Sequence, residues 1–234
     1  MVAISAREKE GFVNAFIVYW HPEPQSFNGA MFRAACDTLG AAGHEVRTSD
    51  LHAMRFDPVS GRKNFTSVKN PDYFKQQAEE TFATEQGGFV PEIEAEMEKV
   101  EWCDLMIWQF PLWWFALPAT LKGWVDRVLA MGRTYGGGRI YDKGVFRGKR
   151  ALLSLTTGGP ETAYLKGGFN GDITAMLRPI HRGILQFVGF DVLQPQIVYG
   201  PVRLTDEQRK EQLAAYATRL KAIASETPID VGVY

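Results

Sequence analysis

Cysteine is scarce in this chain: 234 residues include only Cys36 and Cys103, each in an apolar segment and far apart in sequence. That pattern offers neither a disulfide framework nor a zinc ligand set, and reads as buried thiols in a reducing compartment. No apolar run approaches the length needed to span a bilayer, so membrane insertion is not expected. Residues 1–11 carry Arg7, Glu8, Lys9 and Glu10 without an apolar h-region, so they do not read as a signal peptide. A cytoplasmic location is the default expectation. Charge of one sign is also missing. A formal net charge of -1 gives no reason to expect a nucleic-acid or anionic-membrane partner. His44, His52 and His181 have no companions at ligand spacing, so surface or structural roles are expected and no metal.

What is present is ordinary for a globular protein, with 45% hydrophobic and 23% charged residues. Short apolar runs over residues 14–20, 45–51, 104–110, 149–155 and 191–199 read as strands. Between and after them, helical patterns cover 27–41, 91–102, 118–130, 173–187 and 205–224, and 54–90 reads as a long irregular stretch. The acidic cluster from Glu92 to Glu101 reads as a solvated helix face. Such alternation implies βαβ units with right-handed crossovers and a parallel sheet covered on both faces. Five strands favour an α/β, flavodoxin-like, doubly wound sheet in the order 2-1-3-4-5, and no Gly-x-Gly-x-x-Gly after the first strand supports the six-strand alternative. One domain over 1–234 is expected, with 1–12 as a flexible extension.

In an open parallel sheet, ligands bind beyond the carboxyl ends of the strands. Three loops there have unusual composition. The first, His21-Pro22-Glu23-Pro24-Gln25-Ser26-Phe27-Asn28, ends with Ser26 placed to cap a helix, whose free N–H groups suit a phosphate. Read alone, Ser26 as a plain cap and His21 as a surface residue fit equally well. The second, Pro111-Leu112-Trp113-Trp114-Phe115-Ala116-Leu117-Pro118, has three consecutive aromatic residues that cannot all face the core. They suit a flat, partly apolar ligand, an interface, or both. The third, Thr156-Thr157-Gly158-Gly159, offers hydroxyls, backbone donors and close approach. Such donors would stabilise negative charge at a flavin's N1–O2 edge.

With these loops in register, the chain resembles the NAD(P)H:quinone oxidoreductase (DT-diaphorase-like) family over about residues 16–228. The most specific stretches are Ser26-Phe27-Asn28, Gln109-Phe110-Pro111-Leu112 with Trp114-Phe115, Leu121-Lys122-Gly123-Trp124, Tyr141-Asp142-Lys143-Gly144 and Thr156-Thr157-Gly158-Gly159. The resemblance implies a homodimer with shared active sites, FAD rather than FMN as cofactor, and NADH or NADPH as electron donor. It also implies ping-pong, two-electron reduction of quinones through flavin N5. Carried over by position, His21, Ser26, Phe27 and Asn28 would meet the pyrophosphate and ribityl portions. Pro111, Leu112, Trp114, Phe115, Thr156, Thr157, Gly158 and Gly159 would surround the ring system. Arg209 would lie near the adenine end, and Asp126 would reach the other subunit's cofactor. Tyr164 would be the active-site tyrosine, and Tyr135 and Phe187 would be aromatic walls lent to the partner's pocket.

The departures from the family pattern are informative. Asn170 stands where the family has a charge-relay histidine, and Asn cannot supply a titratable proton. Asn170 precedes Gly171, so a turn role is equally open. Tyr164 could be a surface residue after a turn, and Tyr135 and Phe187 could be dimer core. Gly137 replaces a second pocket tyrosine, which should widen the acceptor slot, and Gln25 and Lys75 replace Thr and Gln near the cofactor. The shorter paralogue's zinc-binding positions have no match. The long form's C-terminal extension, which holds the donor's adenosine part, is not found, so the donor stays open between NADH, NADPH and smaller nicotinamides. Two other readings stand beside quinone reduction: a flavin reductase acting on azo, nitroaromatic or other electrophilic acceptors, and a non-catalytic flavin-binding electron carrier.

Overall fold

A computed structural model describes residues 11–232; most of the expected N-terminal extension lies outside the described residues. Strand β1 (Asn14–Tyr19) is flanked by β2 (Glu45–Asp50) and β3 (Leu105–Pro111), and β4 (Arg150–Thr157) pairs with β3, all in parallel. The sheet order is 2-1-3-4-5, the doubly wound arrangement that the alternation of strands and helices implies.

Side chains alternate across a strand, so each strand feeds two cores. Phe16, Val18, Met106, Trp108, Leu153 and Leu155 enter one cluster. Ala15, Ile17, Leu105, Ile107 and Leu152 enter the other, with residues of α1 (Phe27–Ala41) and α6 (Asp206–Lys221). The first cluster is covered by α2 (Gln76–Gln86), α3 (Pro91–Trp102), α4 (Ala119–Val128) and α5 (Ile173–Ile180). Cys103 is buried and Cys36 half-buried, and desolvation pushes their thiols up to about 12 and about 11. Neither is reactive at neutral pH.

Four expectations are corrected. The stretch 54–90 is not irregular throughout, because α2 lies inside it. Its buried residues are Glu79, Glu80 and Ala83, so it has no apolar stripe for a periodicity to detect. The fifth strand is not continuous. It is β5 (Asp191–Val192) and β6 (Gln196–Tyr199), both on β4, with Pro195 between them lacking the N–H a ladder needs. The helix expected over 173–187 gives way after Ile180 to a widened turn, in which Gln186 N–H donates to His181 O at 2.9 Å. Pro179 inside the helix removes a regular bond and crowds the carbonyl four residues back. Finally, the acidic face of α3 is not wholly solvated. Glu96 is buried, accepting from Ser49 Oγ (2.7 Å), Trp124 Nε1 (2.8 Å) and Lys99 Nζ (2.7 Å). Arg133 pairs with Glu94 and Glu101 on the same helix.

No helix among the described residues is long and apolar enough to cross a membrane.

Candidate active site

The site follows from register. β3 and β4 stay paired to the end, with Pro111 opposite Thr156, and Leu112 N–H donates to Thr156 O at 2.8 Å. The aromatic loop after β3 and the glycine turn after β4 therefore leave the sheet side by side. The turn after β1 joins them because Gly29 lets it lie flat on α1: a Cβ at Gly29 would sit 2.1 Å from Pro24 O.

A cavity of about 730 Å³ opens where the three loops meet. His21, Gln25, Ser26, Phe27 and Asn28 line it from the first loop, Pro111, Leu112 and Trp113 from the second, and Thr156, Thr157 and Gly158 from the third. Ser26 Oγ accepts Gly29 N–H at 3.1 Å, which leaves the first amides of α1 without intrahelical partners. His21 Nδ1 lies 2.9 Å from Glu23 N and 3.0 Å from Glu23 O, so its tautomer decides whether the ring N–H stays with Glu23 or turns to the cavity at Nε2. Desolvation lowers the pKa of His21, which favours a neutral ring.

Asn28 is 3% exposed, and both ends of its amide are engaged. Gln109 Nε2 donates to its Oδ1 at 2.8 Å, and its Nδ2 donates to Thr156 Oγ1 at 2.7 Å. What Asn28 presents to the cavity is thus mainly its backbone.

Within the turn after β4, Thr157 Oγ1 donates to Gly159 O at 2.8 Å and Gly200 N–H to Thr157 O at 3.0 Å. Neither bond uses the amides of Gly158 or Gly159. A Cβ built on Gly158 meets no protein atom within 4 Å. One built on Gly159 would lie 3.3 Å from Tyr164 Cε2 and 3.6 Å from Asn170 Nδ2. Tyr164 and Asn170 therefore converge on the same glycine. Tyr164 is buried, with its ring 5.9 Å from that of Tyr199.

Trp114 and Phe115 follow the cavity-lining Trp113 but do not line the cavity themselves. They are 94% and 47% exposed, and both have left-handed backbone (φ 50° and 57°). L-residues avoid that region, so two in succession mark stored strain, which concentrates at functional sites. Trp113 is held by Trp20, edge to face at 4.9 Å.

The far end of the cavity is formed by residues the sequence reading missed: Pro201, Val202, Lys210 and Leu213, beside the expected Arg209. Arg209 is tied to Pro201 O (2.9 Å) and Asp206 (2.8 Å). The signal was available, because the loop after the fifth strand position is also a carboxyl end of the sheet, and Thr205 and Gln208 form a capping box that starts α6 there.

Asp126, Tyr135 and Phe187 do not border this cavity. With Gln76, Glu80 and Lys122 they line a second one, of about 450 Å³. Asp126 pairs with Lys122 at 2.6 Å, and the Tyr135 and Phe187 rings lie 5.5 Å apart. Lys75 precedes α2 and lines neither cavity. Among the described residues, no group of His, Cys, Asp and Glu side chains could hold a metal ion.

A family model described as "Flavodoxin-like fold" matches residues 14–223. NAD(P)H dehydrogenase [quinone] 1 of Cavia porcellus is 46% identical over 216 residues, 92% of this chain and 78% of that protein. Ribosyldihydronicotinamide dehydrogenase [quinone] of Homo sapiens is 45% identical over 214 residues, 91% of this chain and 93% of that one. A solved structure of a putative quinone reductase from Klebsiella pneumoniae superposes with a TM-score of 0.89 at 40% identity, covering 93% of this chain and 87% of its own.

Proposed function

The chain belongs to the flavodoxin-like NAD(P)H:quinone oxidoreductase family and is an oxidoreductase, and from that premise we propose that it reduces quinones by two electrons with FAD as resident cofactor and NADH or NADPH as donor. The working unit is a homodimer with shared active sites, acting in the cytoplasm. The observation that carries this reading is the extent of the first cavity. Beyond an anion-binding helix start and a glycine turn, it has further ground at Pro201, Val202, Arg209, Lys210 and Leu213 that a mononucleotide would leave unused. Its volume of about 730 Å³ is that of a ligand site rather than a packing defect.

The donor set fits the group. The amides at the start of α1 suit a pyrophosphate, and in its Nε2–H tautomer the neutral ring of His21 would add a donor. The open face of Gly158 allows a ring system to approach the backbone. Bound there, the flavin would supply the hydride-transfer chemistry of the proposed ping-pong cycle. The protein's part is to orient and to exclude water. Trp114 and Phe115 give the site an apolar border over which planar donor and acceptor can take turns. The Tyr164 ring and the Asn170 side chain lie beside Gly159, where both could hydrogen-bond to a bound ring system, and only the Tyr164 hydroxyl could pass on a proton.

Purified protein should be yellow, release FAD rather than FMN on denaturation, and bleach anaerobically with NADH or NADPH until benzoquinone restores the colour. Absence of bound flavin would overturn the reading.

A second reading changes only the acceptor. Gly137 and Gly138 have φ of +61° and +81°, and a Cβ at either would meet nothing within 4 Å. The loop tip is therefore open, and a wider slot favours azo or nitroaromatic acceptors. Relative turnover of benzoquinone, naphthoquinone and an azo dye separates the two.

A further inference from the structure

The family resemblance makes Tyr135 and Phe187 aromatic walls lent to the partner's acceptor pocket in the proposed dimer; resting on that reading, we propose that Glu80 is the positioning residue that holds these walls in place. Glu80 lies in α2 and is 4% exposed, and no cation pairs with it among the described residues. An isolated buried carboxyl is costly unless hydrogen bonds hold it. Two do so here. Met131 N–H donates to Oε2 at 2.7 Å and Gln76 Nε2 to Oε1 at 2.8 Å.

Met131 opens the turn 131–135 that carries Tyr135, in a glycine-rich loop after α4. Gly132, Gly136, Gly137 and Gly138 all have positive φ (91°, 106°, 61° and 81°), the conformation of a segment chosen for freedom rather than rigidity. Arg133 ties the loop to Glu94 and Glu101 of α3, and the ties beside Tyr135 come from α2. Besides the Glu80 bond, Gln77 Nε2 donates to Tyr135 Oη at 3.4 Å. The loop also rides close on the helix: a Cβ at Gly132 would come within 3.2 Å of Thr81 Cα. Met131 and Tyr135 are joined by an isolated bridge, with Gly132 N–H donating to Tyr135 O at 2.8 Å. A pull on Met131 is therefore transmitted to Tyr135, whose ring faces Phe187. Glu80 also lines the second cavity beside both rings. It touches no reacting atom and acts through the Met131 amide.

The test compares holoenzyme variants Glu80→Ala, Glu80→Asp and Glu80→Gln. Gln keeps an acceptor in place, while Asp keeps the charge but withdraws it by one methylene, so geometry and charge are separated. Removing the acceptor from a bonded amide should raise KM for a naphthoquinone by about five-fold in Ala and Asp. Gln should stay within about two-fold of wild type, since its carbonyl preserves the bond. Flavin content and the rate of flavin reduction by NADH should not change. Amide hydrogen exchange at Met131 and Gly132 should speed up in Ala and Asp and stay slow in Gln. Unchanged exchange in both Ala and Asp, or a Gln variant that behaves like Ala, would overturn the proposal, as would faster exchange with unaltered KM. If Ala does not fold, Asp against Gln decides it. A wild-type protein without quinone turnover refutes the functional reading instead, and the exchange data still judge the clamp.

Discussion

The Asn28 side chain donates to Thr156 Oγ1 at 2.7 Å, across 128 positions of sequence. Through Gln109, which donates to the same amide, the bond joins α1, β3 and β4 beneath the candidate cofactor cavity.

Replacing Asn28 by Ala leaves the buried Gln109 amide and Thr156 hydroxyl without their partner. The expected loss is roughly 1–3 kcal/mol of stability. In a chain of this size that lowers Tm by several degrees, about 2–4 °C per kcal/mol. Thermal melting of the apoprotein checks it, and flavin affinity should fall in parallel because the two ligand-facing turns lose their tie.

Trp114→Gly should separate stability from activity. The side chain is 94% exposed, so little burial is lost, while its left-handed backbone becomes free of strain. The urea midpoint should stay level or rise, by up to about 1–2 kcal/mol of stability. Turnover of quinones should fall at the same time. A loss of stability would mean the ring is packed in the native state, for instance against a second subunit.

Asn170→His tests the proton chemistry. On the proposed reading the Tyr164 hydroxyl passes the proton, so Tyr164→Phe should slow turnover, by no more than about 10²–10⁴-fold. Installing a histidine at 170 adds a group that titrates near pH 6.5, roughly its free value. The pH–rate profile of the variant should gain a limb in that region that wild type lacks. Identical profiles would place residue 170 outside the mechanism.

His181 makes stability depend on pH. It is 4% exposed, and desolvation pushes its pKa down to about 4 from 6.5. Between those values the unfolded chain takes up a proton that the folded one refuses. Stability from this group is therefore complete above about pH 6.5 and is lost as pH falls toward 4, by roughly 3 kcal/mol in all. Urea unfolding at pH 7 and pH 5 should show a smaller difference in His181→Gln than in wild type.

Where patterns of apolar residues decide structure, the sequence was readable. The runs that form β1, β3 and β4 are buried on both faces, and nearly continuous hydrophobicity marks them. The turns after these strands stood out by composition, and the structure gathers residues of all three around one cavity, although alone the first read equally well as a plain helix cap. α2 was not, because its inward residues include Glu79 and Glu80, which bond to the backbone of Lys69, Asn70 and Met131. A helix that buries carboxylates against distant amides carries no local signature. The break between β5 and β6 was legible in principle from Pro195, although the apolar residues on either side conceal it. Val202 and Lys210 were missed for a different reason. The topology points to their segment as a further carboxyl end of the sheet, but neither side chain is itself distinctive, so the residues that line the cavity there show only in the fold.

The pairing of Pro111 with Thr156 has an effect beyond placing two loops. A ligand lodged between them bridges neighbouring strands at their ends, so separating β3 from β4 must also expel it. Such a rivet resists unfolding by mass action, in proportion to the logarithm of free ligand over its dissociation constant. Conversely, a core substitution far from the cavity that loosens this strand pair should show first as leakage of cofactor. Colour retained through a gel-filtration column would then serve as a gauge of sheet integrity before any melting curve is recorded.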